Sequence, residues 1–187
     1  MSPARPTAAS IVELALGRAP TLGGGRLVCV DGPAGSGKTT LASAIAALVA
    51  GARVVHMDDL YAGWSGLEDV DLQLAGLLRP LGEGRAGSYQ RYDWPTGRFA
   101  ETVVVAPGPM LVLEGVGSGA AELDELMTAL VWVEAPHDVR MARGLERDGD
   151  AFAPHWEQWA GDEAALFARE RTRERADVIV DGTRPID

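Results

Sequence analysis

Apolar residues along the chain fall into short runs separated by longer stretches with helical periodicity. A short apolar run bounded by turn residues is typical of a buried strand. Such runs occupy residues 27–30, 53–57, 102–106, 110–113, 130–133 and 178–180. Helical spacing covers residues 8–18, 41–49, 70–78, 121–127, 139–147 and 157–175. Strands that alternate with helices predict an α/β fold, in which a mainly parallel five-stranded sheet carries helices on both faces.

Residues 63–98 follow neither period, apart from the helical stretch at 70–78, and they are rich in Gly, Asp, Trp and Tyr. The pattern predicts irregular structure for this segment. Ligands of open parallel sheets bind outside the carboxyl ends of the strands. We therefore expect the functional residues where the strand-like runs end, with the irregular segment nearby.

Lys38 is the only lysine, because the other sixteen of the seventeen basic residues are arginine. It lies in GPAGSGKT, residues 32–39, which fits the phosphate-binding pattern G-x-x-x-x-G-K-[ST] between a strand-like run and a helical stretch. Successive backbone N–H groups and the helix dipole point at an anion in such a unit. A compact ammonium group can enter the closed loop, where a planar guanidinium group would not fit. The predicted nucleotide-binding residues are Gly32, Pro33, Ala34, Gly35, Ser36, Gly37, Lys38, Thr39 and Thr40.

Composition limits the possible number of domains, the possible partners and the possible location of the protein. The 187 residues are expected to form one domain, residues 1–187. A net charge of −10 argues against a nucleic acid or an acidic membrane as the partner of any broad surface. The lone Cys29 excludes a disulfide framework within the chain. No apolar run is long enough to span a bilayer and residues 1–6 lack a signal-peptide pattern, so the expected location is the cytoplasm.

Acidic residues follow two of the strand-like runs. Asp58 and Asp59 come directly after residues 53–57, where an aspartate could accept the proton of a substrate hydroxyl group. The alternative for either residue is the cap of a following helix. Glu114 closes residues 110–113, and a carboxylate at that position can hold magnesium, as in a Walker B strand.

Three arginines share one face of the helical stretch at 139–147. Arg140, Arg143 and Arg147 recur at i, i+3 and i+7. They could fold over bound phosphates and neutralise the charge that develops during phosphoryl transfer. The alternative is a solvated face whose arginines pair with the acidic residues of the same helix.

An aromatic cluster lies in the irregular segment. Tyr89, Tyr92 and Trp94 surround one carboxylate, Asp93. The rings could stack on a base or a sugar while the carboxylate accepts hydrogen bonds from hydroxyl groups. The alternative is a satellite hydrophobic cluster under a long loop.

Together these motifs resemble the uridine kinase and phosphoribulokinase-like group of P-loop kinases over about residues 23–182. The segments that carry the resemblance are DGPAGSGKTT (31–40), MDDLY (57–61), YDW (92–94), ETVVVAPGPMLVLEG (101–115), VWVEAPHDVRMARGLERD (131–148) and ADVIV (176–180). They follow the order and spacing of that family.

The resemblance implies a three-layer P-loop NTPase fold with an acceptor-binding insertion at residues 60–100 and a helical lid at residues 138–156. It implies phosphoryl transfer from ATP, with Mg²⁺, to a hydroxyl group of a small molecule. The residues expected to act in catalysis are Lys38, Asp58, Arg143 and Arg147. Those expected to bind the acceptor are Asp58, Tyr61, Tyr92, Asp93, Trp94 and Arg98, and those expected to hold magnesium are Thr39 and Glu114.

The departures from the family pattern concern the acceptor. Gly97 occupies the position where uridine kinases carry a histidine that contacts the pyrimidine, and Gly144 replaces the second arginine of the lid pair. A nucleoside is the first expected acceptor, followed by a phosphorylated sugar or a pantothenate-like alcohol. The alternatives are a nucleoside monophosphate kinase and an ATP-binding switch without transfer, and a homo-oligomer remains open. The arginines available for an acceptor phosphate are Arg79, Arg85, Arg91 and Arg98.

Overall fold

The computed structural model describes residues 6–149 and 153–185, without the side chains at positions 147, 148 and 153. The helices are α1 (Ala8–Leu16), α2 (Lys38–Ala47), α3 (Asp71–Gly82), α4 (His137–Asp148), α5 (Trp156–Glu170) and α6 (Thr172–Arg175). The strands are β1 (Arg26–Asp31), β2 (Arg53–His56), β3 (Gly87–Asp93), β4 (Arg98–Val105), β5 (Met110–Glu114), β6 (Ala129–Glu134) and β7 (Val178–Asp181).

Five of these strands form one parallel sheet in the order β2-β5-β1-β6-β7. The inner strands β1, β5 and β6 are almost wholly buried, because a parallel sheet is covered by helices on both faces. Alternate residues of β1 point to opposite faces. Leu27 and Cys29 join the core under α3 and α5, whereas Val28 and Val30 join the core under α1 and α2. The predicted α/β class and the five-stranded parallel sheet are confirmed.

The run at residues 102–106 is a strand, as predicted, and it is the one of the six strand-like runs that lies outside the five-stranded sheet. It belongs to β4, which pairs in antiparallel register with β3 and forms a separate two-stranded sheet. Strand β3 lies inside the segment that was predicted to be irregular. It carries Gln90, Arg91 and Asp93 and is only partly buried, so it lacks the apolar alternation that marks a strand.

Two of the predicted helices also differ from the helices in the structure. Residues 121–127 contain a single 3₁₀ turn, Ala121–Leu123, instead of a helix. The stretch at 157–175 breaks at Arg171, which has a left-handed φ of 51° and separates α5 from α6. The charged run around this break continues helical periodicity, so the pattern gave no indication of the turn. Among the helices that the structure describes, none has both the length and the apolar character to cross a membrane.

Candidate active site

The phosphate-binding loop joins β1 to α2 at the carboxyl edge of the main sheet. Gly35 and Gly37 have φ values of +76° and +105°, which L side chains rarely adopt, so the turn requires glycine at both positions. Helix α2 begins at Lys38, whose ammonium Nζ donates to the Pro33 carbonyl oxygen at 2.9 Å. The Ser36 hydroxyl oxygen is buried without a hydrogen-bond partner. The loop therefore encloses its lysine and retains an unsatisfied polar group, as a cradle for an anion would.

Four carboxylates surround Lys38. Burial lowers the pKa of Lys38, and the negative charges of Glu114, Asp31, Glu163 and Asp58 oppose this shift. These residues come from β1, β5, the turn after β2 and helix α5. The sheet topology thus gathers distant acidic residues around one cation. Their combined charge favours the ammonium form of the lysine.

Thr39 and Glu114, the two predicted magnesium ligands, are in direct contact. The Thr39 hydroxyl group donates to Glu114 Oε1 at 3.1 Å, and His56 Nδ1 lies 2.5 Å from the same oxygen. The hydrogen bond to Glu114 raises the pKa of His56 above its usual value. No group of three or more His, Cys, Asp or Glu side chains in the described parts of the chain could hold a metal ion. Magnesium commonly uses one or two protein oxygens plus substrate phosphates, so this hydroxyl–carboxylate pair fits Mg²⁺ that arrives with a nucleotide.

The structure separates Asp58 from Asp59. Both lie in the 3₁₀ turn Met57–Asp59 that follows β2. Asp58 is exposed, its charge acts on Lys38, and its carbonyl oxygen accepts a hydrogen bond from Trp94 Nε1 at 2.9 Å. Asp59 instead contacts the Tyr89 hydroxyl group in the hairpin, and burial raises the pKa of Asp59 above its usual value. Of the two, Asp58 is the residue whose charge acts on Lys38.

Asp31 is a site residue that the sequence analysis did not name. Its carboxylate is fully buried. It accepts hydrogen bonds from the backbone N–H groups of Gly32 at 2.7 Å, Gly117 at 3.0 Å and Gly119 at 2.8 Å. Burial raises the pKa of Asp31 to about 6, against the lowering effect of these N–H groups and of Lys38. Asp31 thus ties the start of the phosphate-binding loop to the loop after β5. An acid at the end of a buried strand was the available clue.

The predicted acceptor residues differ in how deeply they are buried. Tyr61 is fully buried: its hydroxyl group donates to the Val116 carbonyl oxygen at 2.5 Å and its ring packs edge-on against Trp159. It therefore packs beneath the site in this structure and does not line it. Tyr92 and Trp94 are partly exposed and in T-shaped contact, with ring centroids 5.4 Å apart.

Asp93 and Arg98 close the same hairpin. They are cross-strand partners at the end of the β3–β4 pairing. Asp93 also lies 3.7 Å from Arg91 and accepts a hydrogen bond from the Thr96 hydroxyl group. The hairpin turn thus carries a carboxylate that is already bound within the turn.

Two further aromatic residues extend the cluster. Trp64 lies 5.0 Å from Trp94 and stacks on His155, with ring centroids 4.8 Å apart and planes 13° apart. Neither Trp64 nor His155 was predicted as a site residue, because they are separated by about ninety positions and only the fold joins them. The stack connects the predicted acceptor insertion to the end of the predicted lid region.

The arginine face of α4 lies over the phosphate-binding loop. Arg143 donates to the Gly35 carbonyl oxygen at 3.3 Å and to the Gly182 carbonyl oxygen at 3.0 Å. Arg140 donates to the Ala34 carbonyl oxygen and to Glu163. The side chain of Arg147, the third predicted member, lies outside the described residues.

Comparisons with known proteins find a sequence match over part of the chain and solved structures with a similar fold. Residues 64–151 match the model of the phosphoribulokinase / uridine kinase family. A possible uridine kinase from Bacillus stearothermophilus has 24% sequence identity and a TM-score of 0.67, over 93% of this chain and 97% of that chain. A candidate fructose transport system kinase from Silicibacter sp. TM1040 has 23% identity and a TM-score of 0.64, over 93% of this chain and 98% of that chain. A search of the curated proteins finds no match.

The two solved structures show the fold, and the family model adds the sequence relationship over the insertion and α4. The parallel sheet and the phosphate-binding loop define an α/β P-loop fold, which the two solved structures share. Over residues 64–151 the chain is similar to the phosphoribulokinase / uridine kinase family, which confirms the resemblance predicted from the sequence.

Proposed function

We propose that this protein transfers the terminal phosphoryl group of ATP to a hydroxyl group of a small molecule. The observation that carries the proposal is the arrangement around Lys38. The exposed Asp58 and the Glu114 of the Thr39–Glu114 pair both lie within electrostatic range of this lysine at the carboxyl edge of the sheet. These are the groups that phosphoryl transfer needs: a phosphate cradle, oxygen ligands for a divalent cation, and a carboxylate for the acceptor hydroxyl group.

In this proposal the loop and the start of α2 bind the phosphates through their N–H groups, and Lys38 adds a positive charge. Thr39 and Glu114 hold Mg²⁺, which supplies neutralisation of phosphate charge when bound. Asp58 orients the acceptor hydroxyl group and takes its proton. Arg143 moves from the backbone carbonyl groups of Gly35 and Gly182 to the transferring phosphoryl group, and Arg147 assists it.

The proposed acceptor is an unphosphorylated alcohol, with a nucleoside as the first candidate. A phosphorylated acceptor would need arginines to hold its phosphate. Two of the four candidates are already paired, since Arg85 contacts Glu83 and Arg91 contacts Glu101 at 2.7 Å. The exposed rings of Tyr92 and Trp94 are suited to stack on a base or a sugar. We expect the protein to act in the cytoplasm, without a nucleic-acid or membrane partner.

The test is ADP release from MgATP in the presence of nucleosides, nucleoside monophosphates, sugar phosphates or pantothenate. We expect one unphosphorylated acceptor to stimulate release, and Asp58→Asn to lower the stimulated rate by roughly 10²- to 10⁴-fold. Because Asp58 is exposed, this variant should keep the melting temperature of the wild type. Lys38→Ala should abolish transfer.

Asp59→Asn is the matched control, since it removes the neighbouring carboxylate that faces the hairpin. Its rate should stay close to that of the wild type. If Asp59→Asn loses the activity and Asp58→Asn keeps it, the assignment of the two residues is wrong. If no acceptor stimulates release while MgATP still binds, the ATP-binding switch replaces the kinase as the better proposal.

A further inference from the structure

A buried ion pair lies beside the phosphate-binding loop and takes no part in the proposed reaction. Arg140 Nη1 of α4 lies 3.0 Å from Glu163 Oε1 of α5, and the two side chains are 12% and 4% exposed. The pair encloses one residue of the loop. Glu163 Oε2 accepts the Ala34 N–H group at 2.8 Å, and Arg140 Nη1 donates to the Ala34 carbonyl oxygen at 3.2 Å.

Both polar backbone groups of Ala34 are therefore bound by one ion pair that spans two helices. Ala34 was predicted to bind the nucleotide, but its N–H group already has a partner within the protein, so the loop residues that follow it are left to bind phosphate. A buried N–H group without a partner would be costly. Glu163 supplies that partner from 129 positions further along the chain.

The next loop residue is fixed by the same helix. A Cβ atom on Gly35 would lie 2.5 Å from the Arg140 carbonyl oxygen, so the backbone of α4 is in direct contact with the loop. The Arg140 guanidinium group also lies 5.8 Å from the ring centroid of Trp156. Arg140 is thus held by a carboxylate, a carbonyl group and an aromatic ring, whereas Arg143 contacts carbonyl oxygens only.

We infer that Glu163 is a positioning residue for nucleotide binding: its carboxylate, oriented by Arg140, holds Ala34 so that the following loop residues present their N–H groups to phosphate. Arg140 accordingly stays with the loop, and Arg143 and Arg147 are the arginines of this face that act on the nucleotide. The inference rests on the proposed function, because it requires the loop to bind a nucleotide. A loop held in its binding conformation loses less conformational entropy when the ligand arrives.

Two double variants test this inference, both measured by calorimetric titration with MgADP in the absence of an acceptor. Glu163→Gln with Arg140→Gln keeps an acceptor and a donor for Ala34 and removes both charges. Glu163→Leu with Arg140→Met keeps the packing and removes both hydrogen bonds, and such apolar replacement of a buried pair is often tolerated by the fold. We expect the first variant to bind MgADP nearly as tightly as the wild type and the second to bind at least about tenfold more weakly.

Glu157→Gln is the control, because Glu157 is an exposed residue of the same helix. It should leave the affinity unchanged. If the apolar double variant folds and binds MgADP as tightly as the wild type, the inference is wrong and the proposed function stands. If the wild type itself binds no MgADP, both are wrong.

A second measurement covers the case in which the apolar variant does not fold. Hydrogen exchange of the Ala34 amide can be followed by NMR in the nucleotide-free wild type. We expect strong protection of the Ala34 amide relative to that of Gly24, an exposed loop residue, and we expect the Glu163→Gln, Arg140→Gln variant to keep it because it retains an acceptor for Ala34. Exchange of the wild-type Ala34 amide as fast as that of Gly24 would overturn the inference.

Discussion

At the residue scale, the site depends on buried carboxylates that accept hydrogen bonds from backbone N–H groups. Asp31 binds three such groups and Glu163 binds one, and both residues lie within electrostatic range of Lys38. A buried carboxylate without partners would be strongly unfavourable. Each instead fixes a loop segment, Asp31 the loop after β5 and Glu163 the phosphate-binding loop. The same burial makes their ionisation unfavourable relative to the unfolded chain.

Asp31 should therefore give the free energy of unfolding a distinct pH dependence. Its pKa is about 6 in the folded protein, against an ordinary value of 3.8 for an aspartate, so the folded state binds more protons between these values. The contribution of Asp31 to stability is fully present below about pH 3.8 and is lost as the pH rises through about 6, by on the order of 1–3 kcal/mol. In urea unfolding at a series of pH values, the stability difference between the wild type and Asp31→Asn should shrink across this range. A difference that grows with pH would contradict the assignment.

At the element scale, the sequence predicted those structures whose pattern comes from burial on the main sheet. Strands β1, β5 and β6 are continuous apolar runs, and α2 and α4 show clear helical spacing, so their positions were correct to a few residues. The hairpin strand β3 was missed, because a half-exposed strand outside the sheet carries no such run. The strand-end acids were predictable from topology. The contacts of Glu163 and of His155 with Trp64 were not, because only tertiary packing joins these segments.

The packing of the hairpin on α3 supplies a prediction for this element. A Cβ atom on Gly87 of β3 would lie 1.9 Å from the Leu77 carbonyl oxygen. Gly87→Ala should therefore force β3 away from α3 and lower the free energy of unfolding by about 1–3 kcal/mol. Gly161→Ala is the control, because Gly161 lies in α5 with no atom within 4 Å of the added carbon. It should raise the free energy of unfolding by about 0.5–1 kcal/mol, and urea unfolding measures both.

At the scale of the whole molecule, the parallel sheet assembles the site from segments that are far apart in sequence. Asp31 ends β1, Asp58 follows β2, Glu114 ends β5 and Glu163 comes from α5, yet all four act on Lys38. The chain as a whole carries a net charge of −10. A nucleotide that carries negative charge would thus approach a negative protein whose binding loop is itself surrounded by carboxylates.

This charge distribution predicts how salt affects the association rate of a nucleotide. Like charges repel over roughly 30 Å at 0.01 M ionic strength and over only about 8 Å at 0.15 M. Raising the ionic strength between these values should increase the association rate constant of a fluorescent MgATP analogue, by roughly two- to fivefold. Stopped-flow mixing measures this rate directly. A rate that falls with added salt would mean that the arginines of α4, and not the surrounding carboxylates, determine the potential at the mouth of the loop.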